Sequence, residues 1–198
     1  MLLFARATLA LGMATLCLTP AAQAQSEPQN QDQNVFVMGG PFTTGYFGDA
    51  FFFWDDHYES NFFAGVGYQH FFHHYESFKL GVEAGIGLRQ GAQTSAELWG
   101  GLVAGLTEFS FGDITITPSI TAGLSVVTDT IGVETDRADK LGRDVPILYY
   151  LAPEIAISHA AQPEWETFAR IQHRSGGFGT IAEIDGSNAA VIGLRFKF

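Results

Sequence analysis

ITITPSITAGLSVV, Ile114 to Val127, alternates from end to end. Ile114, Ile116, Pro118, Ile120, Ala122, Leu124 and Val126 hold the even positions, and Thr115, Thr117, Ser119, Thr121, Gly123 and Ser125 the odd ones. Successive side chains of a strand point to opposite faces, so this stretch reads as a strand with one greasy face and one small, polar face. Phe78 to Gln90 repeats the pattern, with Phe78, Leu80, Val82, Ala84, Ile86 and Leu88 set against Lys79, Gly81, Glu83, Gly85, Gly87 and Arg89. Asn61 to Phe72 sets Phe62, Ala64, Val66 and Tyr68 against Gly65, Gly67 and Gln69. The chain closes with Ile192, Leu194, Phe196 and Phe198 against Gly193, Arg195 and Lys197.

Eight such runs cover 34–43, 60–72, 78–90, 96–109, 114–127, 147–158, 164–175 and 188–198. They are longer than the roughly 5–6 residues usual in soluble strands and suit the about 9–11 needed to cross a bilayer at a tilt. The connections alternate as well. Segments 73–77, 110–113 and 159–163 are short; 44–59, 128–146 and 176–187 are long; 91–95 is the exception. Short turns at one rim and long loops at the other are the pattern of an outer-membrane barrel. The expected fold is therefore all-β: an eight-stranded antiparallel up-and-down transmembrane β-barrel, with its termini and short turns in the periplasm. Its greasy face would meet lipid, and Glu83, Arg89, Glu97, Arg170, Arg195 and Lys197 would point inward with many glycines. Eight strands leave an interior that side chains fill, which argues against a water-filled pore. A soluble lipocalin-like barrel would instead expose the glycine-rich face to water without reason.

Residues 1–24 read as a cleaved signal peptide: Arg6, the apolar run Ala7 to Leu18, then Ala22-Gln23-Ala24. Residues 25–33 read as a flexible N-terminal segment and 34–198 as the barrel. Cys17 is the only cysteine, so the mature chain would carry no disulfide and no thiol chemistry. Leu16 before it argues against a lipid anchor. The formal charge is −11, and losing Arg6 makes it one unit more negative. Such a chain is a poor partner for nucleic acid. No zinc motif or phosphate loop appears, and no cofactor is called for. His70, His73 and His74 with Glu76 read as interfacial residues by a turn rather than a metal site. Phe51, Phe52, Phe53 and Trp54 read as part of an aromatic girdle, and Asp55 and Asp56 as solvated loop. The segment with Asp129, Glu134, Asp136, Asp139 and Asp144 beside Arg137, Lys140 and Arg143 reads as a surface loop.

The seventh run ends in His173-Arg174-Ser175. Its charges Glu164, Glu166, Arg170 and Arg174 share the even face, so His173 and Ser175 share the lipid-facing one, about 7 Å apart by Cα. The strand runs from periplasm to exterior, so both lie at its outer end. Polar side chains there invite a functional explanation, while wet head groups offer a bland one. Geometry alone leaves the two open, since a lone His-x-Ser is a weak motif.

The segment Gln172 to Phe198, QHRSGGFGTIAEIDGSNAAVIGLRFKF, resembles the C-terminal hairpin of the lipid A 3-O-deacylase (acyloxyacyl hydrolase) family. Its aromatic end also resembles the last strand of Gram-negative outer-membrane proteins. The resemblance implies an eight-stranded outer-membrane esterase with His173 as general base and Ser175 as nucleophile. It implies lipid A of lipopolysaccharide in the outer leaflet as substrate, and the cell outer membrane as location. Two positions depart from the family pattern. Gly176 stands where an Asn follows the Ser, so backbone N–H groups at Gly176 and Gly177 would have to hold the oxyanion. The family's acid, some fourteen residues after the His, falls at Ser187–Asn188. Asn188, outward by parity, would orient the imidazole, with Glu183 second and Asp185 nearby. A non-catalytic surface barrel with a structural or adhesive role is the main rival. A palmitoyl-transferring barrel, with its site in the lumen, is a third reading. The sequence leaves a homodimer open.

Overall fold

The computed structural model describes residues 31–52 and 57–198. The expected signal peptide, most of the expected N-terminal segment, and Phe53, Trp54, Asp55 and Asp56 lie outside the described residues. The strands are β1 (Gln33–Thr43), β2 (Tyr58–Tyr75), β3 (Phe78–Gln90), β4 (Thr94–Gly105), β5 (Phe109–Phe111), β6 (Ile114–Val127), β7 (Ile147–His159), β8 (Gln162–Ser175) and β9 (Asp185–Lys197). Neighbours in sequence are neighbours in the sheet except β4 and β5, which both pair with β6, and β1 pairs with β9. All pairings are antiparallel, so the sheet closes into an eight-stave up-and-down barrel.

The fourth run of the sequence is split into β4 and β5. Gly105 opposes Ser119, whereas Phe109 opposes Ile116, so the register slips by one residue across Leu106–Glu108. Leu106 N–H donates to Pro118 O at 2.9 Å. In an antiparallel pair a residue's N–H and C=O face the same neighbour, so the donor that Pro118 lacks would have pointed at this bulge. β5 is the same stave continuing past it.

Burial follows the alternation. On β3, Val82, Ile86 and Leu88 are exposed on the outer wall, while Glu83 and Arg89 are buried. Inside, the aromatic rings lie where neighbouring strands carry glycine. A Cβ on Gly85 would sit 2.1 Å from Trp99 Cζ2, and one on Gly193 2.1 Å from Phe168 Cζ. The buried lumen charges are paired with one another, which is what makes them tolerable in a low-dielectric lumen. Arg170 reaches both oxygens of Glu83 (2.7 and 2.9 Å) and Glu154 at 2.9 Å. Glu83 also accepts from Gln69, Trp99 Nε1 and Thr121. Nearer the short turns, Arg195 and Lys197 both bind Glu166. A cavity bounded by Asn34, Gln69, Lys79, Glu166 and Arg195 measures about 20 Å³, roughly the room one water needs.

At the long-loop rim the segment after β6 is more than a surface loop. Val133–Leu141 forms helix α1, with acidic Glu134 and Asp136 in its first turn, Lys140 in its last, and Gly142 as a left-handed C-cap. Glu134 is fully buried and holds both Arg89 and Arg174 in the barrel mouth. The charge pattern of the loop concealed this, because one carboxylate of the set is a plug and the others are solvated.

Candidate active site

β8 carries His173 and Ser175 to the long-loop rim, with Arg174 between them pointing into the lumen. Along the outer row of β8, Trp165, Thr167 and Ala169 are exposed. His173 continues that row yet is only 6% exposed. The ring of Phe47, from the first long loop, lies over the imidazole with centroids 4.3 Å apart and planes 31° apart. The imidazole thus leaves the outer wall as its parity requires, but under a cover rather than on bare lipid.

His173 sits opposite Asn188 on β9. Its Nδ1 lies 2.6 Å from Asn188 Oδ1. Asn188 Nδ2 donates to Gly45 O at 3.1 Å, which sets the amide with its oxygen toward the ring. An amide oxygen only accepts, so Nδ1 carries the proton and Nε2 is left with its lone pair. That is the tautomer a general base needs. Glu183 is exposed and makes no hydrogen bond to the imidazole; its side chain runs beside Gly179.

A β-bulge brings in a second partner. Arg174 opposes Ser187, but Ser175 opposes Asp185, so Gly186 is skipped. Counting back from Asn188, strict alternation would turn Asp185 inward; the bulge reverses it. Asp185 Oδ1 lies 3.7 Å from His173 Nδ1 and is buried without a hydrogen-bond partner. Its Oδ2 accepts from Phe47 N–H at 3.4 Å.

Arg137 of α1 clamps the same corner. Its Nη1 donates to Asp185 O and Gly186 O, both at 3.1 Å, and its Nη2 to Thr44 O (3.1 Å) and Gly45 O (3.0 Å). Gly45 O therefore receives both Arg137 and Asn188, tying the helix to the group that holds the imidazole.

Ser175 is half-buried, and its Oγ is not hydrogen-bonded to His173. The Gly176 N–H, expected at the oxyanion, donates to Ile184 O at 2.7 Å. Gly177 N–H has no acceptor among the described residues. At the opposite rim His74 Nε2 pairs with Asp32 at 2.7 Å, and no group of three or more His, Cys, Asp or Glu is placed to hold a metal among the described residues. Phe47 and Arg137 had no signal in the sequence, since each acts from a distant loop.

The chain matches no protein-family model and no curated protein. Among solved structures it is similar to the outer membrane enzyme PagL, with a TM-score of 0.58 and 15% identity over 83% of this chain and 99% of that one. The fold is that of an outer-membrane β-barrel. Neisserial surface protein A is also similar, with a TM-score of 0.50 and 12% identity over 84% of this chain and 97% of that one. At such identities the likeness extends to the eight-stave architecture alone, and a chain of this fold is found as an enzyme and as a surface protein.

Proposed function

We propose that this barrel is an outer-membrane serine esterase that removes an ester-linked acyl chain, at the 3-position, from lipid A of lipopolysaccharide. The observation that carries it is the His173–Asn188–Gly45 chain of hydrogen bonds, which leaves Nε2 unprotonated on the outer wall two positions from a serine. The resemblance of the C-terminal hairpin to the lipid A 3-O-deacylases supplies the substrate class, and the outward setting suits a substrate that diffuses in the bilayer.

Ser175 Oγ attacks the ester carbonyl as His173 Nε2 takes its proton. The imidazolium that forms is held by Asn188 Oδ1 at Nδ1 and by the negative charge of Asp185. The Gly177 N–H is the donor available to the oxyanion. His173 then protonates the leaving sugar alkoxide. Water, deprotonated by the same nitrogen, attacks the acyl-enzyme and releases a fatty acid and Ser175. Substrate entry requires Phe47 to swing off the imidazole, and the Nε2–Oγ contact forms only then.

The missing Nε2–Oγ bond is also what favours the rival, a small outer-membrane barrel without catalysis. Fatty-acid release from lipid A by the purified barrel decides between them. Ser175→Ala is expected to abolish it with the barrel still folded; equal release by the variant rejects the assignment.

A further inference from the structure

We propose that the turn following Ser175 is a lipid-engaging post, with Phe178 at its apex entering the acyl chains of the outer leaflet and seating the substrate's acyl chain beside Ser175. This rests on the esterase reading above. Thr180 N–H donates to Gly177 O at 3.1 Å, and the residues between have φ of 55° (Phe178) and 90° (Gly179). This is a type I′ turn, whose central positions favour Gly and Asn because a Cβ is disfavoured there. A phenylalanine in that conformation is normally repaid by packing. Phe178 has none: its relative exposure is 112%.

The turn nevertheless fixes the backbone that carries the ring. Ile181 N–H donates to Gly176 O at 2.9 Å, and Thr180 Oγ1 donates to Gly177 O at 2.8 Å. Ile181 and Ile184 pack against the buried cluster of Val145, Leu148 and Ala182. The base of the turn leans on the outer wall, since a Cβ on Gly177 would lie 2.5 Å from the Tyr149 ring. Tyr149 and Ile147 are exposed on the outward row of β7, so Phe178 continues the lipid belt past the nucleophile. Between Gly176 and Ala182 the turn carries no charge. It therefore offers phosphate head groups no cationic side chain, and hydrocarbon is the occupant that compensates an unpacked, strained aromatic ring.

Two variants of the full barrel in lipid A-containing vesicles test this. Phe178→Asn suits the left-handed backbone, so its thermal midpoint should not fall. Its rate on vesicle lipid A, relative to that on a water-soluble short-chain ester, should drop roughly tenfold or more. An unchanged ratio overturns the proposal. The emission that Phe178→Trp adds to that of the native tryptophans should be quenched by lipids brominated on their acyl chains. Quenching by aqueous acrylamide alone overturns it. A wild type that hydrolyses neither substrate rejects the esterase, and the quenching still decides whether position 178 meets lipid.

Discussion

Replacing Asn188 by alanine separates orientation of the base from folding of the barrel. Asn188 is fully buried and makes two hydrogen bonds, at 2.6 Å to His173 Nδ1 and 3.1 Å to Gly45 O. Gly45 O keeps Arg137 Nη2 at 3.0 Å, so that carbonyl is not orphaned. The stability cost is then the loss of two bonds at about 1 kcal/mol each. The catalytic cost is larger. Without Oδ1 the proton on Nδ1 loses its hydrogen-bond acceptor, and the tautomer protonated at Nε2 has no lone pair for Ser175. General-base contributions run to about 10²–10⁴-fold, and Asp185, only 3.7 Å from Nδ1, can recover part of that. We expect Asn188→Ala to lower kcat on lipid A by about 10²-fold with KM little changed. Asn188→Ala combined with Asp185→Asn should fall further. Asn188→Asp keeps an acceptor on Nδ1 and should stay within about tenfold of wild type. The assay is fatty-acid release, with thermal unfolding as the control. An Asn188→Ala barrel that is folded and has an unchanged kcat would refute the tautomer argument.

Arg137→Ala removes four charge-assisted bonds to backbone carbonyls and should cut kcat about tenfold, with Arg137→Lys recovering only part because an ammonium cannot fork between β9 and the loop after β1; full recovery by lysine would contradict the clamp. Phe47→Ala should uncover His173 and speed its modification by an imidazole-acylating reagent, read by peptide mass, while the thermal midpoint stays near wild type; an unchanged rate would mean that loop one is no cover. Gly85→Val forces a side chain into Trp99 and should cost the full 1–3 kcal/mol or so of overpacking, or block assembly, while Ile86→Leu on the outer wall should be near neutral; gel mobility before and after heating distinguishes folded from unfolded barrel.

The barrel was legible in the sequence because its determinant is local. Ile114–Val127 states both of its faces residue by residue, and the inward charges Glu83, Arg170 and Arg195 fall where the alternation puts them. Parity also sends His173 and Asn188 to the same outer wall, where they meet. Legibility stopped where parity breaks or where a distant loop intervenes. The bulge that skips Gly186 reverses Asp185 and brings it to the imidazole instead of Glu183. The cover over His173 comes from Phe47, and the clamp beneath it from a helix inside a loop that its charges made look solvated. Gly176 was expected at the oxyanion because glycine permits close approach, but its N–H closes the turn to Ile184. Such contacts depend on how the long loops fold back over the rim, which no two-residue repeat encodes.

The mass of lipid A from Gram-negative cells expressing the chain tests the central claim most directly. Expression of the wild type should remove one hydroxyacyl chain from lipid A, and Ser175→Ala at equal abundance should leave the mass unaltered. Lipid A of unchanged mass with the wild type folded in the outer membrane, or lipid A that gains a palmitoyl group, would contradict it.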